Sequence, residues 1–147
     1  MLARLFVTTV AAAALALGCA AQKSSENPRE AHQAGKGVAR IYDASLEQTW
    51  RAVHVALKWS EAGKAEDHPA STGESYVITN PDTNQDAYNA QVGVWLDPMN
   101  SDKTRVSVVV LGPDNSMGGP NEEGLQKDIG KVVAMIRSGE PVPEKRP

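Results

Sequence analysis

Residues 45–57 read SLEQTWRAVHVAL, and this stretch decides how the chain around it folds. Four apolar residues recur at intervals of four, three and four positions, as on one face of an α-helix: Leu46, Trp50, Val53 and Leu57. Ser45 and Gln48 have the spacing of a capping box, which places the start of the helix there. The stretch therefore predicts an amphipathic helix that must bury one face against another element.

The chain on either side of this helix alternates with a period of two, as β-strands do. The predicted strands cover residues 38–42, 76–79, 88–97 and 106–110. Segments rich in Asn, Asp and Pro separate the last three strands, at residues 80–86 and 98–102, and predict an antiparallel meander. Residues 64–73 show no period and are interpreted as a loop.

A second amphipathic helix is predicted near the end of the chain. Asn121 is a favoured N-cap, and Gly139 followed by Pro141 ends the helix. Its apolar stripe is Leu125, Ile129, Val132, Val133 and Ile136. Two such helices and one half-apolar sheet can bury their faces only against each other. The sequence thus predicts a two-layer α+β fold in the order β-α-β-β-β-α, with an antiparallel sheet and both helices on one face.

The N-terminal region has the pattern of a signal peptide. An apolar run of thirteen residues, from Leu5 to Leu17, follows Arg4, whereas a membrane-spanning helix needs about 20. One residue beyond the run, after Gly18, comes Cys19, the one cysteine of the chain. A lone thiol is a liability in an oxidising compartment unless pairing or modification consumes it.

Residues 15–19, Leu-Ala-Leu-Gly-Cys, resemble the lipobox of bacterial lipoproteins. The resemblance implies cleavage before Cys19, acylation of its thiol, and attachment to a membrane through the N-terminal lipid. Ala20 follows, where many inner-membrane lipoproteins carry aspartate, so the resemblance implies the outer membrane, facing the periplasm. The alternative is an ordinary secretory signal cut near Ala16, Gly18 or Ala20, which leaves Cys19 discarded or unpaired.

The first helix and its surroundings also resemble a family of small bacterial envelope lipoproteins of unknown function. The shared pattern is S-x-x-x-x-W-x-A-x-x-x-A-L, here Ser45, Trp50, Ala52, Ala56 and Leu57. The resemblance covers about residues 37–138 and implies a fold without an activity. The predicted organisation is a signal peptide at 1–18, a lipidated N-terminus and flexible tether at 19–36, one domain at 37–139 and a disordered tail at 140–147.

Composition excludes one class of partner. The chain has fifteen Lys and Arg residues and eighteen Asp and Glu residues, for a formal charge of −3. Because the basic residues are scattered along the sequence, nucleic-acid binding has no electrostatic basis.

The chain has no G-x-S-x-G motif and no phosphate-binding glycine loop. We therefore expect a non-enzymatic envelope protein without a cofactor, which contacts an envelope protein partner or serves a structural role. The alternative is a periplasm-facing hydrolase or small-ligand-binding module.

Two polar clusters contain residue types that bind metal ions. His68 stands beside Glu66 and Asp67, but no two histidines have the spacing of a zinc helix, and a solvated histidine is the simpler interpretation. Asp82, Asn84 and Asp86 open like a calcium loop. Ala87 and Gly93 occupy the positions where such a loop needs glycine and glutamate, so we interpret the cluster as a turn and predict no metal.

Trp95 is the candidate contact residue. By alternation it points away from the apolar sheet face of Val92, Val94 and Leu96, and Val109 lies on the same outer side. This pair is either a small partner-binding patch on an open sheet face or cross-strand packing beneath loops.

Overall fold

The computed structural model describes residues 27–69, 74–80, 90–112 and 119–147. Within those residues the chain forms three helices and five strands, and the predicted α+β class is confirmed. In chain order the elements are α1 (Pro28–Gln33), β1 (Val38–Tyr42), α2 (Leu46–Trp59), β2 (Lys64–His68), β3 (Ser75–Asn80), β4 (Gln91–Asn100), β5 (Lys103–Leu111) and α3 (Glu122–Ser138).

The strands form one antiparallel sheet in the order β1-β5-β4-β3-β2, so β4 is central. The part from β2 to β5 is a meander, and β1 pairs with β5 at the far edge. The β4–β5 hairpin has an irregular register between Pro98 and Asn100. Strand β4 extends to Asn100, so the turn predicted at 98–102 is confined to residues 101 and 102. The irregular register accommodates Pro98, which cannot donate to the ladder.

Helices α2 and α3 pack together on one face of the sheet, which we call the inner face, as the sequence predicted. The side chains that fill this interface are almost fully buried and mostly aliphatic. They include Val53, Leu57, Val77, Val92, Val94, Val106, Val108, Leu125, Ile129 and Val132. This layer is the main hydrophobic core.

Both predicted helix starts are formed by side-chain caps. The capping box of α2 is complete, with Ser45 Oγ accepting from the Gln48 amide and Gln48 Oε1 accepting from the Ser45 amide. Asn121 Oδ1 accepts from the Gly124 amide at the start of α3. At the other end of α3, Gly139 takes a positive φ of 73°, which a residue with a Cβ adopts only at a cost.

One polar side chain crosses the core. Gln126 on α3 is fully buried; its Nε2 donates to the carbonyls of Val38 and Val106, and its Oε1 accepts from the Tyr42 hydroxyl at 2.6 Å. Burial raises the pKa of this Tyr42 hydroxyl to about 12. Gln126 therefore ties α3 to β1 and β5 with all its buried groups satisfied, as a buried amide must be.

The interpretation of residues 64–73 as a loop is wrong for the first five, which form β2. This strand reads KAEDH and lies at the edge of the sheet, where it pairs on one side with β3. It shows no apolar alternation because neither of its faces is fully buried.

The predicted domain limits, 37–139, are too narrow. Residues 28–33, placed in the flexible tether, form α1, and the 140–147 tail, predicted to be disordered, contacts the helices. Trp59 Nε1 donates to the Pro143 carbonyl at 3.0 Å, and Arg146 pairs with Asp128. Both segments are too short to show a periodicity, and contacts with the folded domain hold them instead.

The two tryptophans of α2 differ in burial. Trp50, on the apolar stripe that the sequence predicts to be buried, is partly exposed at the margin of the core, whereas Trp59, outside that stripe, is 7% exposed. The C-terminal tail buries Trp59, and no pattern within the helix itself signals that contact.

Candidate functional site

Cys19 lies outside the described residues, which begin at Asn27, eight positions further along. Asn27 caps α1, with its Oδ1 accepting from the Glu30 amide at 2.9 Å. The folded domain therefore starts close, along the chain, to the predicted lipid attachment point.

The orientation predicted for Trp95 and Val109 is correct. Trp95 pairs with Ser107, and Gly93 pairs with Val109, so all four residues share the outer face, opposite α2 and α3. The expectation of an open face is wrong here, because α1 covers it: Trp95 is 5% exposed and Val109 is 1% exposed. The two residues form a second small apolar cluster with Tyr76 and with Ala31 of α1.

Aromatic rings form a continuous stack across the outer face. The His32 ring of α1 lies 4.0 Å from the Trp95 ring and nearly parallel to it. Trp95 is followed by Tyr76 at 5.9 Å, and Tyr76 by His68 at 4.3 Å. The guanidinium of Arg29 lies 5.6 Å from the centre of the Tyr76 ring, within the range of a cation–π contact. Two side chains of α1 thus hold the helix on an aromatic pair of the sheet.

Two glycines permit close approaches on this face, of α1 to β4 at Gly93 and of the α1–β1 connection to β5 at Gly37. A Cβ on Gly93 would lie 2.5 Å from the Trp95 ring and 2.7 Å from Pro28 Cβ, which is far too close. Gly37 has a φ of 104°, and a Cβ there would lie 2.4 Å from the Val108 carbonyl oxygen. The absence of a side chain at Gly93 therefore leaves the space in which α1 can pack against the outer face.

Burial is energetically unfavourable for two groups in the stack, the Trp95 indole N–H and the protonated His32 imidazole. Within the described part of the chain, the Trp95 indole N–H is buried without an acceptor. Burial also lowers the pKa of His32, although the carboxylate of Glu74 acts in the opposite direction. Both observations show that α1 removes this part of the sheet from water.

The edge of α1 borders a cleft of about 340 Å³. Its lining combines apolar and acidic groups: His32, Glu74, Ser75, Trp95, Leu96, Asp97 and Pro98. Both carboxylates have cationic neighbours, Arg29 4.0 Å from Glu74 and Arg105 3.9 Å from Asp97. The cleft is therefore close to electrically balanced.

A second cleft of about 500 Å³ lies beside the start of α2 and is more apolar. Its described lining is Leu46, Glu47, Trp50, Arg51, Pro69 and Ser75. The exposed part of Trp50 lies here rather than against the sheet, which explains the incomplete burial of that ring.

The histidines are placed apart from one another. His54 Nε2 lies 3.0 Å from Asp67, and His68 Nε2 lies 3.3 Å from Glu66 on the same edge strand. In the described ranges, no three potential ligands lie together as a metal site requires. The Asp82–Asp86 turn lies outside these ranges.

Comparison with known proteins identifies no family: no protein-family model matches the chain, and no curated protein sequence matches it significantly. Among the helices that the structure describes, none is both long and apolar enough to cross a membrane.

Proposed function

We propose that this chain is a bacterial envelope lipoprotein, attached to a membrane by acylation of Cys19, whose domain is a non-catalytic interaction or structural module. The observation that carries the proposal is the position of the chain's one cysteine just beyond a short apolar run. A single thiol at that place is consumed by acylation, and two or more acyl chains give stable attachment.

The folded domain supports a role in contacts rather than in chemistry. Its histidines are engaged in separate ring and carboxylate contacts, and the candidate aromatic residue Trp95 is part of the packing under α1. Trp95 and Val109 therefore serve a partner only indirectly, by fixing the surface that α1 presents. Ala20 after the cysteine supports the outer membrane, with the domain facing the periplasm.

The anchor is tested by growing cells with an alkyne-bearing fatty acid and comparing the native chain with Cys19→Ala. The native chain should be labelled and cleaved before Cys19, whereas Cys19→Ala should lose the label and keep its N-terminal apolar run uncleaved. Ser25→Ala, six positions downstream, is the matched control and should behave as the native chain does. Unchanged labelling and cleavage of Cys19→Ala would refute the proposal.

The 500 Å³ cleft beside Trp50 favours one second candidate, the binding of a small apolar ligand. An apolar fluorescent dye should then bind with a defined stoichiometry, and Trp50→Ala should weaken it. Dye binding that is absent, or equal in Trp50→Ala, would remove this alternative.

A further inference from the structure

The position at which the anchor chain enters the fold limits how the domain can face the membrane. Asn27 and Pro28 lie over the outer face, and Pro28 approaches Gly93 on β4, the central strand of the sheet. Ala31 is fully buried and His32 stacks on Trp95, so α1 is packed as part of the domain. A lipid on Cys19 is therefore connected to the middle of the outer face.

The connection is short relative to the domain. Eight residue steps separate Cys19 from Asn27 and span at most about 29 Å when fully extended. For comparison, eight residue steps of an unstructured polypeptide span about 16 Å on average. A domain of this size has a diameter of about 35 Å.

Turning the helix layer towards the membrane would use up this length. The chain would have to cross two strands to reach an edge of the sheet, about 10 Å. It would then have to pass the sheet and the helix layer, about 20 Å more. Little or none of the connection would remain to reach the lipid.

The exposed apolar side chains give a second reason. Among the described residues, the exposed large hydrophobic ones are Ile41, at 53%, and Met99, at 48%. Ile41 lies on the outer face, because it pairs with Arg105, which pairs in turn with Asp97, two positions beyond Trp95. Met99 lies near the tip of the β4–β5 hairpin. It belongs to β4, which flanks β5 on the side opposite β1, the strand of Ile41.

Resting on the proposed anchor at Cys19, we propose that the outer face, with α1 on it, lies against the phospholipid bilayer and that Ile41 and Met99 contact the lipid. Helices α2 and α3 then face away from the membrane. The basic side chains near the contact are paired, Lys103 with Asp43 at 3.5 Å and Arg105 with Asp97, so apolar contact and chain length determine the orientation rather than charge.

The tryptophans report this orientation, because Trp95 lies on the outer face and Trp59 in the helix layer. The lipidated protein is placed in phosphatidylethanolamine–phosphatidylglycerol vesicles that contain dansyl-labelled lipid. One variant keeps only Trp95 (Trp50→Phe, Trp59→Phe), and the other keeps only Trp59 (Trp50→Phe, Trp95→Phe). Energy transfer to the dansyl group, measured from donor lifetimes, should be more efficient from Trp95. Equal transfer, or more efficient transfer from Trp59, overturns the orientation.

A second measurement needs no change in the tryptophans. A water-soluble acetylating reagent should modify Lys103, beside the contact, less on vesicles than in a soluble, unlipidated chain that begins at Ala20. Lys131, exposed on α3, should react equally in both. The double variant Ile41→Ser, Met99→Ser should restore acetylation of Lys103 on vesicles. Protection of Lys131 without protection of Lys103 would contradict the proposal.

The mass of the purified protein separates the two possible failures. A protein without acyl groups on Cys19 refutes the proposed function and the orientation with it. An acylated, vesicle-bound protein with the reverse order of energy transfer refutes the orientation alone.

Discussion

Trp95 contacts groups from three parts of the chain: the His32 ring of α1, the Tyr76 ring of β3 and the backbone at Gly93 of its own strand. Alternation along β4 predicts the side to which Trp95 points, but it cannot predict what covers that side. The cover is a six-residue helix that carries only two buried residues, Pro28 and Ala31. The position of Trp95 was therefore predictable, and its burial was not.

Trp95→Ala should lower the free energy of unfolding by about 3 to 5 kcal/mol, because it removes a buried ring and leaves a cavity under α1. Ile41→Ala is the matched control, since Ile41 lies on the same face but is exposed, and its effect should stay within about 0.5 kcal/mol. Chemical denaturation measures both. A Trp95→Ala protein as stable as the native one would show that α1 does not cover this ring.

Gly93→Ala and Gly130→Ala should have opposite effects on stability. The new methyl group at position 93 would collide with Trp95 and Pro28, so we expect a loss of at least about 1 kcal/mol. At position 130, inside α3, the nearest atom is 3.4 Å away, and alanine should stabilise the helix by roughly 0.5 to 1 kcal/mol. Thermal unfolding of the two variants provides the comparison. Equal effects would contradict the close approach of α1 to β4.

Among the helices and strands, the segments with a clear period were predictable, and the two short elements without one, α1 and β2, were not. Helix α2 and helix α3 carry their caps and apolar stripes in the sequence. By contrast, α1 has six residues, and a helix of that length is unstable alone in water. Strand β2 is held by its pairing with β3. Such elements are stabilised by contacts with the rest of the fold. Those contacts cannot be inferred from the sequence of the element itself.

The attachment of α1 should weaken in acid. Because burial lowers the pKa of His32 below 6.5, the docked state favours the neutral imidazole. The stabilisation is fully present above pH 6.5 and is lost as the pH falls below that value, because the free imidazole takes up its proton first. An NMR titration of His32, with amide exchange of residues 28–33 followed from pH 7.5 to pH 5, measures the effect.

Glu74→Gln is the control for that titration. It removes the carboxylate that partly opposes the shift, so the pKa of His32 should fall further. A His32 pKa at or above 6.5 in the native protein would contradict the desolvated stack.

The C-terminal tail should contribute to stability although its composition suggested disorder. Truncation after Glu140 removes the partners of the nearly buried Asp128 carboxylate and of the Trp59 indole N–H. The expected loss is about 1 to 3 kcal/mol, the cost of leaving such groups unpaired. Lys145→Ala, which changes an exposed residue of the same tail, should be nearly neutral. Equal stability of the truncated and the native protein would show that the tail does not pack.

In the molecule as a whole, the sheet carries α2 and α3 on one face and α1 on the other, and the proposed lipid joins this domain through the short chain that precedes α1. The class of the fold and the helix layer followed from periodicity, and the candidate anchor followed from one cysteine and its neighbours. The closure of the outer face followed from neither, because it depends on residues far apart in the sequence meeting at Gly93 and Trp95. That closure places the first described residues, Asn27 and Pro28, over the middle of one face, where the proposed anchor joins the domain.

Mass spectrometry of the N-terminal peptide of the protein purified from bacterial membranes shows directly whether Cys19 is acylated. We expect a chain that begins at Cys19 and carries acyl groups on that residue. An unmodified N-terminus at another residue, such as Ala20 or Ala21, would contradict the lipoprotein assignment and indicate an ordinary secreted protein.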